Sequence, residues 1–160
     1  SFLIKGLGDY TRQLLDTLAV GQPVTVEGPY GCFSFAGGKA RQVWVAGGIG
    51  VTPFIARMQA LVQAPDGRPV DLFYCTSAPD EGFIGKLRQL AGEAGVALHV
   101  LVSPRDGRLD AAGIAAAVPD WQAADFWFCG PAAFGESLRE AFCARGLAAD
   151  GFHQELFEMR

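Results

Sequence analysis

V-W-V-A-G-G-I-G-V-T-P-F, Val43 to Phe54, joins an apolar strand to a helix through a turn with almost no side chains. Val43 to Ala46 is a short run rich in β-formers. From Phe54 the apolar positions fall at Phe54, Ile55, Met58, Leu61 and Val62, which is one face of a helix. Thr52 has the chemistry of an N-cap, and Pro53 suits the first helical position, where a missing N–H costs nothing. Gly47, Gly48, Ile49, Gly50 and Val51 therefore stand where backbone amides converge at a helix start. Glycines there let a phosphate approach the main chain, and the free N–H groups and helix dipole favour its negative charge. The spacing from Gly48 to Pro53 reads G-x-G-x-x-P, a variant of the dinucleotide-binding fingerprint. A glycine turn that serves packing alone has the same pattern, so the rest of the chain must decide.

Half of the 160 residues are hydrophobic, enough to bury a core. The formal charge is -4 and the pI near 5.1, with Lys and Arg scattered singly, which argues against nucleic acid as a partner. No apolar run approaches the roughly twenty residues that span a bilayer, and the S-F-L-I-K start lacks a signal-peptide layout. Direct membrane insertion by this segment is not expected. Cys32, Cys75, Cys129 and Cys143 are widely spaced and form no metal-ligand cluster or iron–sulfur run, so the reading is a reduced, cytoplasmic setting with no metal site in this segment.

Beyond the first helix the alternation repeats. Val70 to Cys75 reads as a buried strand, followed by a helical face of Phe83, Ile84, Leu87, Leu90 and Ala91. Val96 to Val102 is the next strand, and an alanine-rich helix follows around Asp110 to Val118. Asp125 to Cys129 is a strand, Phe134, Leu138, Ala141 and Phe142 mark a helix, and Phe152 to Phe157 closes the series. Such alternation specifies an α/β fold, a five-stranded parallel Rossmann-like sheet in order 3-2-1-4-5 with helices on both faces. Ligands of such sheets bind beyond the carboxyl ends of the strands, at the switch point. Three features meet there: the glycine turn, C-T-S at Cys75 to Ser77, and C-G-P at Cys129 to Pro131.

Residues 1–36 stand outside this scheme. Phe2 to Lys5 reads as a strand, T-R-Q-L-L-D-T-L as a short helix, and V-T-V-E-G-P-Y-G as a strand ending in a turn. So short a stretch cannot form its own core without staples. It reads as the closing part of a second domain, joined to residues 37–160 through a linker around Ala36 to Ala40. A β-hairpin extension is the alternative.

V-E-G-P-Y-G at Val26 to Gly31, G-G-I-G-V-T-P-F at Gly47 to Phe54, F-C-G-P at Phe128 to Pro131 and F-H-Q-E-L-F-E-M-R at Phe152 to Arg160 occur in an order that resembles the ferredoxin–NADP reductase superfamily, in particular its bacterial ferric-reductase-like and NADPH-oxidase-like branch. The resemblance implies an FAD-binding barrel, of which residues 1–36 are a remnant, before an NAD(P)-binding domain at 37–160. Hydride would pass from NAD(P)H to FAD at their interface. It also implies that Gly48, Gly50, Val51 and Thr52 bind the pyrophosphate and that Cys129 and Gly130, followed by Pro131, face the nicotinamide. Phe157 would be the terminal aromatic at the flavin, with Glu155 beside the reacting rings. Cys129, Glu155 and Phe157 are thus the candidate catalytic residues. In an extended segment His153, Glu155 and Phe157 share a face, where His153 reads first as a satisfied core or edge histidine. Gly8, Tyr10 and Thr11 match the position that binds the FAD pyrophosphate, while the R-x-Y-[ST] flavin motif is absent from these residues, so this stretch is expected to bind FAD weakly or not at all.

Both NADPH and NADH fit. Relatives that prefer NADPH often carry an arginine after the second strand, where this chain has Thr76 and Ser77; Arg105 after the third could pair a 2′-phosphate instead, and the balance leans to NADPH. In the family branch, electrons would go on to haem in an attached transmembrane domain and then to ferric iron or oxygen, placing the parent protein at the cytosolic face of the inner membrane. Two alternatives stand beside this: a soluble reductase component of an oxygenase or globin system, and a non-catalytic nucleotide-sensing module. A bulky residue at Gly50 is expected to abolish nucleotide binding and leave the fold.

Overall fold

The computed structural model describes residues 9–25 and 33–156. Gly8, the V-E-G-P-Y-G stretch, the expected strand Phe2 to Lys5 and Phe157 lie outside them. The chain divides into two compact units, Ser1–Cys32 and Phe33–Arg160. In the first, helix α1 spans Asp9–Thr17, two residues ahead of the expected start. Asp9 in its first turn complements the helix dipole. Val24 and Thr25, which open the expected strand, have no regular structure.

In the second unit β1 (Arg41–Gly47) leads through a 3-10 turn (Gly48–Val51) into α2 (Thr52–Gln63), then β2 (Val70–Thr76), α3 (Glu81–Ala94) and β3 (Val96–Val102). A short α4 (Ser103–Asp106) and α5 (Ala111–Ala117) precede β4 (Ala124–Gly130), α6 (Ala132–Cys143) and β5 (Phe152–Leu156). The five strands are parallel in the order β3-β2-β1-β4-β5, as the alternating pattern requires. Strands β1 and β4 sit in the middle, covered on both faces, which is why their sequences read as unbroken apolar runs.

Side chains alternate between two cores. On one face Trp44, Ala46, Leu72, Trp127 and Cys129 pack with Phe54, Met58 and Leu61 of α2 and with Ile84, Leu87 and Ala91 of α3. On the other, Val43, Val45, Phe73, Phe126, Phe128 and Phe152 pack with Ile114 of α5 and with Leu138 and Phe142 of α6. Asp80 caps α3 by accepting from the Phe83 N–H at 2.9 Å, and Gly95, at φ +69, ends it in the left-handed region. Asp110 caps α5 in the same way, through the Gly113 N–H.

Thr52 departs from the sequence reading. It is the first residue of α2 rather than its N-cap, and its Oγ1 donates back to the Ile49 carbonyl at 2.5 Å. The intervening 3-10 turn presents a carbonyl within reach, and the hydroxyl takes it.

The stretch around Ala36 to Ala40 is bonded to the second unit. The Lys39 N–H donates to Asp125, and Lys39 Nζ reaches the Gln122 carbonyl at 2.9 Å. Arg68 donates to the carbonyls of Phe35 and Gly37. A Cβ at Gly37 would run into the Asp125 carboxylate, so only glycine fits there. Phe35 itself has φ +53, and buried Gln42 donates to its carbonyl while accepting from the Trp44 indole at 2.7 Å. The aromatic rings of Phe35, Trp44 and Phe54 lie 5.2 to 6.0 Å apart, so burial and hydrogen bonding together hold Phe35 in a conformation that non-glycine residues rarely adopt.

Phe54 is wholly buried at the centre of this cluster. Phe54→Ala is expected to lower stability by about 3–5 kcal/mol, measured by urea unfolding. A loss below about 1 kcal/mol would contradict the packing described.

Candidate functional site

The glycine turn and the end of β4 touch each other through backbone. A Cβ on Gly47 would stand 2.6 Å from Pro131 Cδ and 3.4 Å from Gly130 Cα, and one on Gly130 would stand 3.0 Å from the Gly47 Cα and N. A Cβ on Gly50 would run into the Cys129 carbonyl. Gly47, Gly50 and Gly130 are thus glycines because β1 and β4 converge there. Gly48 differs: at φ +58 it needs glycine for its backbone conformation, and the space its Cβ would occupy is open.

This separates two roles that the spacing alone merges. Gly50 supports the approach of the turn to β4, and the open side of the turn lies at Gly48. Ile49 is half-buried, Val51 packs into the core, and Thr52 and Pro53 begin α2.

At the end of β2, Thr76 is buried and its hydroxyl is committed to the Ala78 main chain, accepting from the N–H at 3.2 Å with the carbonyl at 3.1 Å. Ser77 is exposed. Thr76 pairs in register with Val102, so the ends of β2 and β3 are neighbours, and Arg105 follows in α4. Arg105 is paired: its Nε and Nη2 donate to the two carboxylate oxygens of Asp106 at 2.8 and 3.0 Å. Asp106 in turn accepts from the Val102 N–H, and the Arg105 guanidinium with that N–H holds its carboxyl at about 2. The 2′-phosphate partner expected from the sequence is therefore engaged. Arg108, exposed on the following loop, is a second guanidinium on this side, while Asp80 and Glu81 put negative charge at the start of α3.

Cys129 is fully buried in the α2/α3 core. Burial pushes its thiol up to about 12, with the Glu155 charge adding to the shift. It stays a thiol at ordinary pH, so any role it has is by position rather than as a nucleophile or proton carrier. Glu155 stands opposite Cys129 across the β4–β5 pair, and His153 opposite Trp127, two residues earlier. The shared face expected for His153 and Glu155 is the one observed. His153 is not a satisfied histidine, however: its Nε2 is buried and has no hydrogen-bond partner among the described residues, and the same holds for Trp127 Nε1. In α1, Tyr10 and Thr11 occupy the first turn behind Asp9, whose charge would oppose a phosphate at that helix end.

A second polar group was invisible in the sequence. Asp71 lies 3.0 Å from His99 Nε2 and 3.9 Å from Arg41, which also pairs with Asp120. It falls near the beginnings of β1 and β2, away from the glycine turn. Among the described residues no set of three or more His, Cys, Asp or Glu is arranged to hold a metal ion.

A dinucleotide pyrophosphate fits the turn on one ground, the open space over the left-handed Gly48 at the start of α2. Gly50→Ala should cost about 1–3 kcal/mol of stability, since the new Cβ pushes on a strand carbonyl. Gly48→Ala should fold at a cost of about 1–2 kcal/mol and lose affinity for ADP-ribose. Urea unfolding with calorimetric titration checks both, and a Gly50→Ala protein as stable as the parent would contradict the assignment. The expectation that Gly50 can be enlarged with the fold intact is thereby corrected.

No family model matches the chain. It is 31% identical over 150 residues to the carnitine monooxygenase reductase subunit of Escherichia coli, an alignment covering 92% of this chain and 44% of that protein. It is 31% identical over 137 residues to the ferredoxin–NAD(+) reductase component of the alkene monooxygenase system of Xanthobacter autotrophicus, covering 78% and 41%. The chain thus spans less than half the length of these curated relatives. Its fold matches the flavohaem-like FAD/NAD-binding domain of nitric oxide dioxygenase from Vibrio cholerae with a TM-score of 0.77 at 24% identity, covering 94% of this chain and 65% of that one. The curated relatives and the structural neighbour, which shares the sheet fold, are thus FAD/NAD-binding oxidoreductases like those of the ferredoxin–NADP reductase superfamily, and the likeness supports that superfamily for this chain.

Proposed function

We propose that residues 33–160 are the nicotinamide-dinucleotide half of a flavin-dependent reductase and that they act by positioning. The observation that carries this reading is the backbone contact between the Gly47–Thr52 turn and Cys129–Gly130, at the carboxyl ends of β1 and β4. That is the switch point of the sheet, since β1 is followed by a helix on one face and β4 by a helix on the other. The turn would hold the pyrophosphate at Gly48 and the N-terminus of α2, with the adenosine end toward Ser77, Arg105 and Arg108. The nicotinamide would then lie at Cys129, Gly130 and Pro131. NAD(P)H and FAD, when bound, supply the hydride donor and its acceptor. The chain's own groups orient: Gly130 leaves room, Cys129 stays a neutral wall, and Glu155 places a carboxylate beside the reacting end.

The FAD-binding barrel would belong to the same protein, with Gly8, Tyr10 and Thr11 at the flavin pyrophosphate and Phe157 at its ring. An isolated 160-residue chain should bind the adenosine half and retain little FAD. For the acceptor we favour an oxygenase or a globin over the haem of a membrane domain or ferric iron. The support is the relatives named above, two of them reductase components of monooxygenases and the third a nitric oxide dioxygenase. That acceptor asks for no haem-bearing membrane partner. Among the described residues no helix is long and apolar enough to cross a membrane.

Calorimetric titration with ADP and 2′,5′-ADP tests the reading. Saturable binding of ADP is expected, and failure of both ligands at millimolar concentration would contradict it. Asp106→Asn keeps an oxygen for the Val102 N–H but releases Arg105, so it should raise affinity for 2′,5′-ADP relative to ADP by about two- to fivefold, the scale of an exposed ion pair.

A further inference from the structure

Among the described residues β5 is an edge strand of five residues, paired with β4 alone. On the α6 face it is held by Phe152, buried against Phe126 and Phe128, and by Gln154, which sits so close to Gly135 that a Cβ there would be 2.8 Å from its Nε2. On the opposite face His153 stacks on Trp127 with centroids 4.0 Å apart and planes 18° from parallel. Trp127 is buried and cannot yield, because Phe33 meets its edge at 5.3 Å and Phe35 lies at 5.0 Å. One step further along the same face, Glu155 stands opposite Cys129.

From this we infer that His153 is a positioning residue for Glu155: its stack on Trp127 sets where β5 lies against β4 and so where the carboxylate stands. The inference rests on the proposed reductase reading only for its catalytic consequence. A strand pairs through main-chain bonds that any register satisfies, and a slip by one residue would turn Glu155 to the α6 face. The flat ring of His153 on a fixed indole distinguishes the right register from the wrong one on this face. The stack does not use the ring nitrogens that face it, since His153 Nε2 and Trp127 Nε1 are buried and both lack a partner among the described residues. A phenyl ring should therefore serve as well.

The test uses His153→Ala and His153→Phe in the full-length, flavin-loaded protein. Rapid-mixing measurement of flavin reduction by NAD(P)H should show the limiting rate of His153→Ala reduced about ten- to a hundredfold, as for a reacting group displaced by around an ångström. His153→Phe should stay within about twofold of the parent, and the dissociation constant for ADP should be unchanged in both, because the adenosine end lies across the sheet. A His153→Ala rate equal to the parent's would overturn the inference. So would a His153→Phe rate as low as that of His153→Ala, or a parallel loss of ADP affinity, which would mark a general structural defect. Amide hydrogen exchange at Glu155 and Leu156 reads the anchoring without any cofactor. It should quicken in His153→Ala and not in His153→Phe, and unchanged exchange in His153→Ala would overturn the inference. If exchange behaves as expected while the parent shows no flavin reduction, the reductase reading fails and the anchoring role stands. Should His153→Ala not fold, His153→Leu, apolar but not planar, takes its place in both measurements with the same expectations.

Discussion

Everything at the carboxyl end of this sheet depends on how closely two backbones approach. Gly47 lies against Gly130 and Pro131, and Gly50 lies against the Cys129 carbonyl, with no room for a side-chain carbon between them. Close packing makes such a contact rigid, because neither strand can move without displacing the other. The consequence is chemical as well as mechanical. The turn that opens α2 and the end of β4 keep a fixed distance, as the proposed dinucleotide, with a phosphate at one end and a reacting ring at the other, would require.

The rest of the second unit supports that contact from behind. Trp44, Phe54 and Trp127 fill the face beneath the turn, and Phe33 and Phe35 close it. Phe35 is held at a positive φ because Gln42 and Arg68 both donate to its carbonyl and its ring is buried. The stretch entering the sheet is thus a fitted part of the core. Gly37 against Asp125 repeats on this side the device used at the carboxyl ends of β1 and β4, a glycine where an approaching group leaves no space.

Much of this was legible in the residues. The change of period at Phe54, the apolar runs of β1 and β4 and the helical face of Phe83, Ile84, Leu87, Leu90 and Ala91 specify the elements, and the handedness of crossovers then leaves the order 3-2-1-4-5. The glycine spacing also marked the turn that joins β1 to α2. It could not say why each glycine is there, because the group that excludes a Cβ at Gly50 is a carbonyl 79 positions away. Thr52 was misread for a local reason, since a hydroxyl at a helix start caps forward or bonds backward according to the turn before it. Arg105 was legible as a cation but not as a paired one, although Asp106 is its neighbour; the Asp106 carboxylate turns back to the Val102 N–H and there takes the Arg105 guanidinium. The Arg41, Asp71, His99 and Asp120 group comes from four separate stretches of chain and exists only through strand register.

The central claim is that a dinucleotide pyrophosphate lies at the left-handed Gly48 and the start of α2, with its other end toward Gly130. Titration of ADP-ribose into the isotopically labelled protein, followed by amide nuclear magnetic resonance, addresses it directly. The largest shifts should fall on Gly48 to Thr52, with Gly130 responding through its contact with Gly47. Shifts confined to the Arg41, Asp71 and His99 side of the sheet, with the Gly48 to Thr52 amides unmoved at saturation, would contradict it.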